Sequence, residues 1–182
     1  MKDLKYLLAY TGPILVFLGL YWNGYWTYGF AIESFLLLPV LELLMPRDKS
    51  NVAAEEEDNK SNQWFFDLLL YLHVPILFSL IIWYLFEITS GTHATYEMVG
   101  MTISQGIFLG AFGINVAHEL GHRTSKFEQF LAKVLLMPCL YMHFIIEHNR
   151  GHHKNVGTEE DPASARKGEI VFFFWVRSIV GG

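Results

Sequence analysis

Long apolar runs alternate with short polar breaks along the first two thirds of the chain. Tyr6 to Trp22, Trp26 to Met45, Leu68 to Phe86 and Met98 to Ala117 carry few charges. A helix that crosses a bilayer needs about 17–25 mostly apolar residues, and each run has that length. Backbone groups in lipid must be satisfied within their own segment, so helix is the expected state of all four. Only a tight turn fits between the first two, around Asn23 and Gly24. The pattern predicts an all-α integral membrane bundle: two transmembrane hairpins with helices at about 6–22, 26–45, 68–86 and 98–117. From about 118 to 168 polar and apolar residues mix, which predicts a cytoplasmic or interfacial helical region. A new apolar run at about 170–182 reads as the start of a further membrane segment, the whole forming one membrane domain.

Val134 to Ile146 is apolar but short for a span, and it contains Pro138 and His143. If it crossed, the polar stretches on either side would be separated by about 30 Å of hydrocarbon. It is expected to be an interfacial or partly buried helix that returns the chain to the same face.

Composition supports a membrane protein. Hydrophobic residues make up 52% of the chain and charged residues 17%, against about 25% charged in typical soluble proteins. A single Cys139 in an apolar run excludes an internal disulfide and a thiolate metal site, and reads as a buried, reduced thiol. The net charge of −5 points to no particular partner, and nothing suggests nucleic-acid binding. Lys and Arg cluster before the first run, between the second and third, and after the fourth; only Arg177 has no placed side. The turn at Asn23–Tyr25 and the connection at Glu87–Glu97 carry none. By the positive-inside rule the basic side is cytoplasmic, so a multi-pass protein of the plasma (inner) membrane is expected. The stretch "RDKSNVAAEEEDNKSNQ" between the hairpins reads as a solvated loop.

The unusual chemistry lies after the fourth run, in "HELGHR" at 118–123 and "EHNRGHH" at 147–153. His118 and His122 are four apart, which on a helix puts both rings on one face, one turn apart. His148 and His152 repeat that spacing, and His153 follows, pointing about 100° away around a regular helix. Imidazole suits Zn, Cu, Fe and Ni. These five exceed the three protein ligands of a catalytic zinc and are too few to fill two six-coordinate ions. The count predicts a dinuclear site that takes further ligands. "HELGH" alone also fits an intramembrane zinc protease, with Glu119 as general base. A membrane metal-binding protein or transporter is a further alternative.

"NVAHELGHR", "MHFIIEHNRGHHKNVGTEEDPASARKGE", "LLLPVLELL" and "YLHVP" resemble the integral-membrane alkane 1-monooxygenases of the AlkB type, in the membrane fatty-acid desaturase and hydroxylase superfamily. The likeness covers most of the chain and is strongest from Ile114 to Glu169. It implies a six-helix membrane protein with two Fe ions, in which His118, His122, His148, His152 and His153 are iron ligands. It also implies O2-dependent hydroxylation of the terminal methyl of an alkane, with a rubredoxin-like or ferredoxin-like electron donor and substrate drawn from membrane lipid. A fatty-acid desaturase, or a fatty-acyl or aromatic-methyl hydroxylase, is the neighbouring alternative. The family's third cluster, His-x2-His-His, and its Asn-Tyr-x-Glu-His-Tyr-Gly motif do not occur here. The chain is accordingly expected to be an N-terminal fragment, inactive alone.

Other polar residues carry two readings each. Glu119 and Glu147 can orient imidazole N–H groups or be plain surface carboxylates, and Asn115 and Asp161 can serve in the same way. His143 and His73 read as packed side chains, and His93 as solvated. Glu33, inside a span, is expected to face the bundle interior. Gly106, Gly110 and Gly113 read as close helix packing or as room for a linear substrate. Trp22, Tyr25, Trp26 and Tyr28 read as an interfacial belt. Lys126, Lys133, Arg150, Lys154, Arg166 and Lys167 could dock an acidic electron carrier.

Overall fold

The computed structural model describes residues 2–45 and 64–181. The expected loop at 47–63 lies outside the described residues. Among the described residues every regular element is helical. The chain forms two compact units, Met1–Val116 and Ala117–Gly182.

In the first unit a 3-10 stretch over Lys2–Tyr10 leads into α1, Thr11–Trp22. Among the described residues three helices are long and apolar enough to cross a membrane: α2 over Gly24–Leu44, α3 over Trp64–Thr89 and α4 over Thr95–His122. The apolar helix Tyr6–Trp22 is shorter than these. Helices α3 and α4 outrun their apolar stretches at both ends, because Asp67, Glu87, Glu97 and His122 continue the backbone hydrogen bonding. Hydrophobicity marks the part that can face lipid, not where a helix stops.

Asn23 (φ 56°) and Gly24 (φ 57°) turn α1 into α2 through two consecutive left-handed residues, a region that Asn and Gly tolerate best. Glu97 ties this turn to the start of α4: its Oε1 accepts the Gly24 N–H at 2.7 Å and its Oε2 the Ala94 N–H at 2.9 Å. His93, expected to be solvated, is instead paired, its Nε2 lying 2.7 Å from Glu87 Oε2.

The partition of polarity is inverted relative to a soluble protein. Thr27, Glu33, His73, Ser104 and Gln105 are buried, while Phe35, Leu36, Leu43, Ile82 and Phe86 are exposed. Large apolar residues face outward in such numbers only where the surroundings are themselves apolar, so this is a membrane protein. His73 donates from Nδ1 to the Leu69 carbonyl at 2.7 Å and stacks on Phe112 at 5.2 Å.

Close packing of α4 against α2 falls at Gly100, not at Gly106 or Gly110. A Cβ at Gly100 would collide with Thr27 Oγ1 and come within 2.7 Å of the Tyr28 ring, whereas at Gly106 or Gly110 it would meet nothing within 4 Å. Thr27 cannot yield easily, because its carbonyl accepts the Ser104 hydroxyl at 2.6 Å. Gly100→Ala is therefore expected to cost about 1–3 kcal/mol through overpacking, and Gly106→Ala to be neutral or slightly stabilising. Thermal unfolding of the two variants in detergent checks this; equal midpoints would refute it.

In the second unit α5, Lys126–Leu136, buries Ala132, Leu135 and Leu136. The apolar stretch 134–146 is not one helix. Turns at 137–143 break it, with Leu140 at φ 54°. Helix α6, residues 144–155, then carries the second histidine cluster. After a loop, α7 spans Val171–Gly181.

Candidate metal centre

Three imidazoles converge, and a fourth stands against one of them. His118 Nε2 lies 2.7 Å from His148 Nε2 and 3.0 Å from His122 Nε2, and His122 Nε2 lies 3.1 Å from His148 Nε2. His153 Nε2 stands 3.0 Å from His148 Nε2. The chain does return after the first cluster, and His148 is the hub where the two clusters meet. His118, His122 and His148 can hold a metal ion.

The second cluster pairs its rings differently from a regular helix. The middle of α6, Glu147–His152, is a π turn. Its wider winding brings residues five apart onto one face, so His148 aligns with His153 and not with His152. Such turns recur at functional sites because they re-aim side chains within a helix. His152 is turned aside, its ring centroid 5.4 Å from that of His148. Its Nδ1–H donates to Asp161 Oδ2 at 2.8 Å. That bond leaves the Nε2 lone pair free as a ligand.

These contacts fit a bound cation better than hydrogen bonds. A neutral imidazole nitrogen is either donor or acceptor. Within the triangle of His118, His122 and His148, at least one pair must then set two lone pairs or two N–H groups against each other. A metal ion at the centre removes that conflict by accepting every lone pair. Burial, then the neighbouring imidazoles, push His148 down to about 4, so it is unprotonated at neutral pH as a ligand must be. Phe144 covers it, stacked at 5.0 Å and 15°.

The carboxylates divide unevenly. Glu119 pairs with Arg123 Nε at 3.3 Å and is half exposed. Glu147 lies 3.4 Å from His143 and lines a cavity of about 260 Å³ beside His148 and His152. Neither has a hydrogen bond to a cluster imidazole. The carboxylate that does is Asp161, 1% exposed. Burial pushes its carboxyl up, but hydrogen bonds from the Ser164 hydroxyl, the Ala163 N–H and His152 more than offset that and hold it below its usual range. The sequence signal was "DPASAR" itself: Asp161 and Ser164 stand in it at the spacing of a side-chain-capped turn. Cys139 donates to the Leu135 carbonyl at 3.4 Å. Burial pushes its thiol up to about 11, so it is not a thiolate ligand.

Arg177 grips Glu169 with Nε and Nη2 of its guanidinium, at 2.9 and 2.7 Å. That pairing, with the Arg166 N–H, drives Glu169 down to about 2. Stability from this pair is fully present above the carboxyl's ordinary value of 4.5 and is lost as pH falls toward 2. Glu169→Gln should lower the thermal midpoint at pH 7 and leave it unchanged at pH 2, followed by circular dichroism. Equal losses at both pH values would show that the charge pair is not the cause.

The fatty acid desaturase family model matches residues 94–182. An alkane 1-monooxygenase of Pseudomonas putida is 34% identical over 145 residues, covering 80% of this chain and 36% of its own length. Alkane 1-monooxygenase 1 of Alcanivorax borkumensis is 31% identical over 181 residues, 97% of this chain and 45% of its own. The xylene/toluene monooxygenase hydroxylase component of Pseudomonas putida is 27% identical over 184 residues, 100% of this chain and 48% of its own. The chain thus spans between about a third and a half of the length of the curated relatives it matches.

Proposed function

We propose that the full-length protein hydroxylates the terminal methyl of alkanes at a diiron centre, because residues 94–182 match the fatty acid desaturase family model and the chain is similar over most of its length to alkane 1-monooxygenases. The carrying observation is the convergence of Nε2 atoms from His118, His122 and His148, 2.7–3.1 Å apart, with His153 Nε2 a further 3.0 Å from that of His148. Glu119, paired with Arg123, is not aimed as a zinc protease's base would be.

His118, His122, His148 and His153 hold iron on this reading, and His152 offers Nε2 to a second ion. Five imidazoles cannot fill two six-coordinate shells, so further ligands complete the centre. Bound iron supplies O2 activation and oxidation of an unactivated C–H bond. The chain's own residues orient the ligands and present them at the polar end of α4, while its apolar outer surface admits a substrate dissolved in lipid. Electrons come from a rubredoxin-like or ferredoxin-like carrier. The distribution of basic residues supports a centre on the cytoplasmic side of the plasma membrane.

The test is direct. Purify the full-length protein, count its metals, and assay conversion of octane to 1-octanol with reductant and O2. Two irons per chain with 1-octanol formed supports the reading, and a single zinc sinks it. The xylene/toluene relative favours one second reading, hydroxylation of an aromatic methyl. The same assay with toluene separates the two.

A further inference from the structure

The loop 156–170 between α6 and α7 is held in place at two ends. At the metal-centre end sits Asp161, buried to 1% exposure, with Oδ2 on His152 Nδ1 at 2.8 Å. Its Oδ1 accepts the Ala163 N–H at 2.9 Å, and the Ser164 hydroxyl donates to Oδ2. The Gly157 N–H donates in turn to Ser164 Oγ at 2.8 Å, which closes the loop on itself. At the other end, Arg177 on α7 donates to the Pro162 carbonyl at 3.0 Å and the Ser164 carbonyl at 2.9 Å, besides its two bonds to Glu169. The carbonyls it grips belong to the residues on either side of Ala163, within three residues of Asp161.

We propose that Arg177 is the positioning residue for His152. By holding Glu169 and the carbonyls of Pro162 and Ser164 it fixes the loop that carries Asp161, and Asp161 fixes which imidazole nitrogen His152 offers to an ion. The proposal rests on the metal-centre reading above. Its physical basis is geometric. A planar fork with donors on three nitrogens can satisfy a carboxylate and two carbonyls at once, which a lysine ammonium on a flexible stem does not reproduce. Without the fork, the loop loses the side-chain hydrogen bonds that tie it to α7, and Asp161 Oδ2 is free to leave Nδ1. The imidazole can then rotate or change tautomer, and Nε2 is no longer reliably a lone-pair donor. Outer partners of this kind typically govern metal affinity by about 10–100-fold.

The experiment measures iron affinity of the full-length protein by chelator competition. It compares the parent, Arg177→Gln, Asp161→Asn, the double variant, and Lys167→Gln as an exposed basic control. Asp161→Asn should weaken iron binding by about 10–100-fold. Arg177→Gln should weaken it in the same direction, and the double variant should bind no worse than Asp161→Asn alone. Lys167→Gln should match the parent. Parent-like affinity in Arg177→Gln overturns the proposal. So does a double variant weaker by the product of the two single effects, which would make Arg177 a scaffold residue independent of Asp161. If Arg177→Gln does not fold, Arg177→Lys and Glu169→Gln take its place, each expected to weaken iron binding without adding to Asp161→Asn; parent-like affinity in both overturns it. A parent protein that binds no iron refutes the metal-centre reading itself, a result distinct from any of these.

Discussion

On the proposed reading, His148→Ala in the full-length protein is expected to abolish iron retention and, with it, turnover. No other ring of the cluster has Nε2 contacts to three partners: His118 at 2.7 Å, His153 at 3.0 Å and His122 at 3.1 Å. Its removal therefore leaves the two clusters without a common ligand. Loss of an outer partner typically costs about 10–100-fold in metal affinity, and loss of a direct ligand should exceed about a hundredfold. The matched control is His143→Ala on the same stretch of chain. His143 touches Glu147 at 3.4 Å and is 59% exposed, so iron content should be unchanged. Metal analysis after purification reads both variants. Parent-like iron content in His148→Ala would remove this residue from the centre and the π-turn geometry from the explanation.

The membrane helices and the two histidine clusters were legible because both signals are local. An apolar run of bilayer length has few alternatives to helix, and a His-x3-His pair declares its shared face. What stayed hidden depended on departures from the regular helix or on contacts distant in sequence. The "HNRGHH" stretch contains both an i, i+4 and an i, i+5 pair. Only the π turn over Glu147–His152 decides that His153, not His152, joins His148. Glu119 and Glu147 adjoin the ligands in sequence and read equally as orienting or as surface carboxylates; their partners are Arg123 and His143. Asp161 does that work from nine positions beyond His152. Arg177, which charge counting alone could not place, holds its loop from sixteen positions further on. The glycines show the same limit. Spacing along one helix pointed to Gly106 and Gly110, but close packing needs a neighbour, and the neighbour, α2, meets the helix at Gly100.

Removing the metal should lower thermal stability by a large and pH-dependent amount. An ion held at a thousandfold its dissociation constant contributes about 4 kcal/mol to the folded state. Each kcal/mol moves the midpoint of a protein of this size or larger by at most about 2–4 °C, so chelation of the full-length protein at pH 7.5 should lower it by up to about 8–16 °C. Acid acts on both forms. The metal-free fold holds His148 down at about 4, whereas an unfolded imidazole takes a proton near its ordinary value of 6.5. The unfolded state therefore binds more protons between these values, and the metal-free protein is most stable above pH 6.5 and loses stability as pH falls from there toward 4. The bound form loses its ion over the same range, because each imidazole must be unprotonated to act as a ligand. The gap between metal-bound and chelated midpoints should thus be wide at pH 7.5 and narrow at pH 5.5. Scanning calorimetry with and without chelator at the two pH values measures it. A gap of the same width at both would mean that the stabilising ion is held by carboxylates instead of these imidazoles.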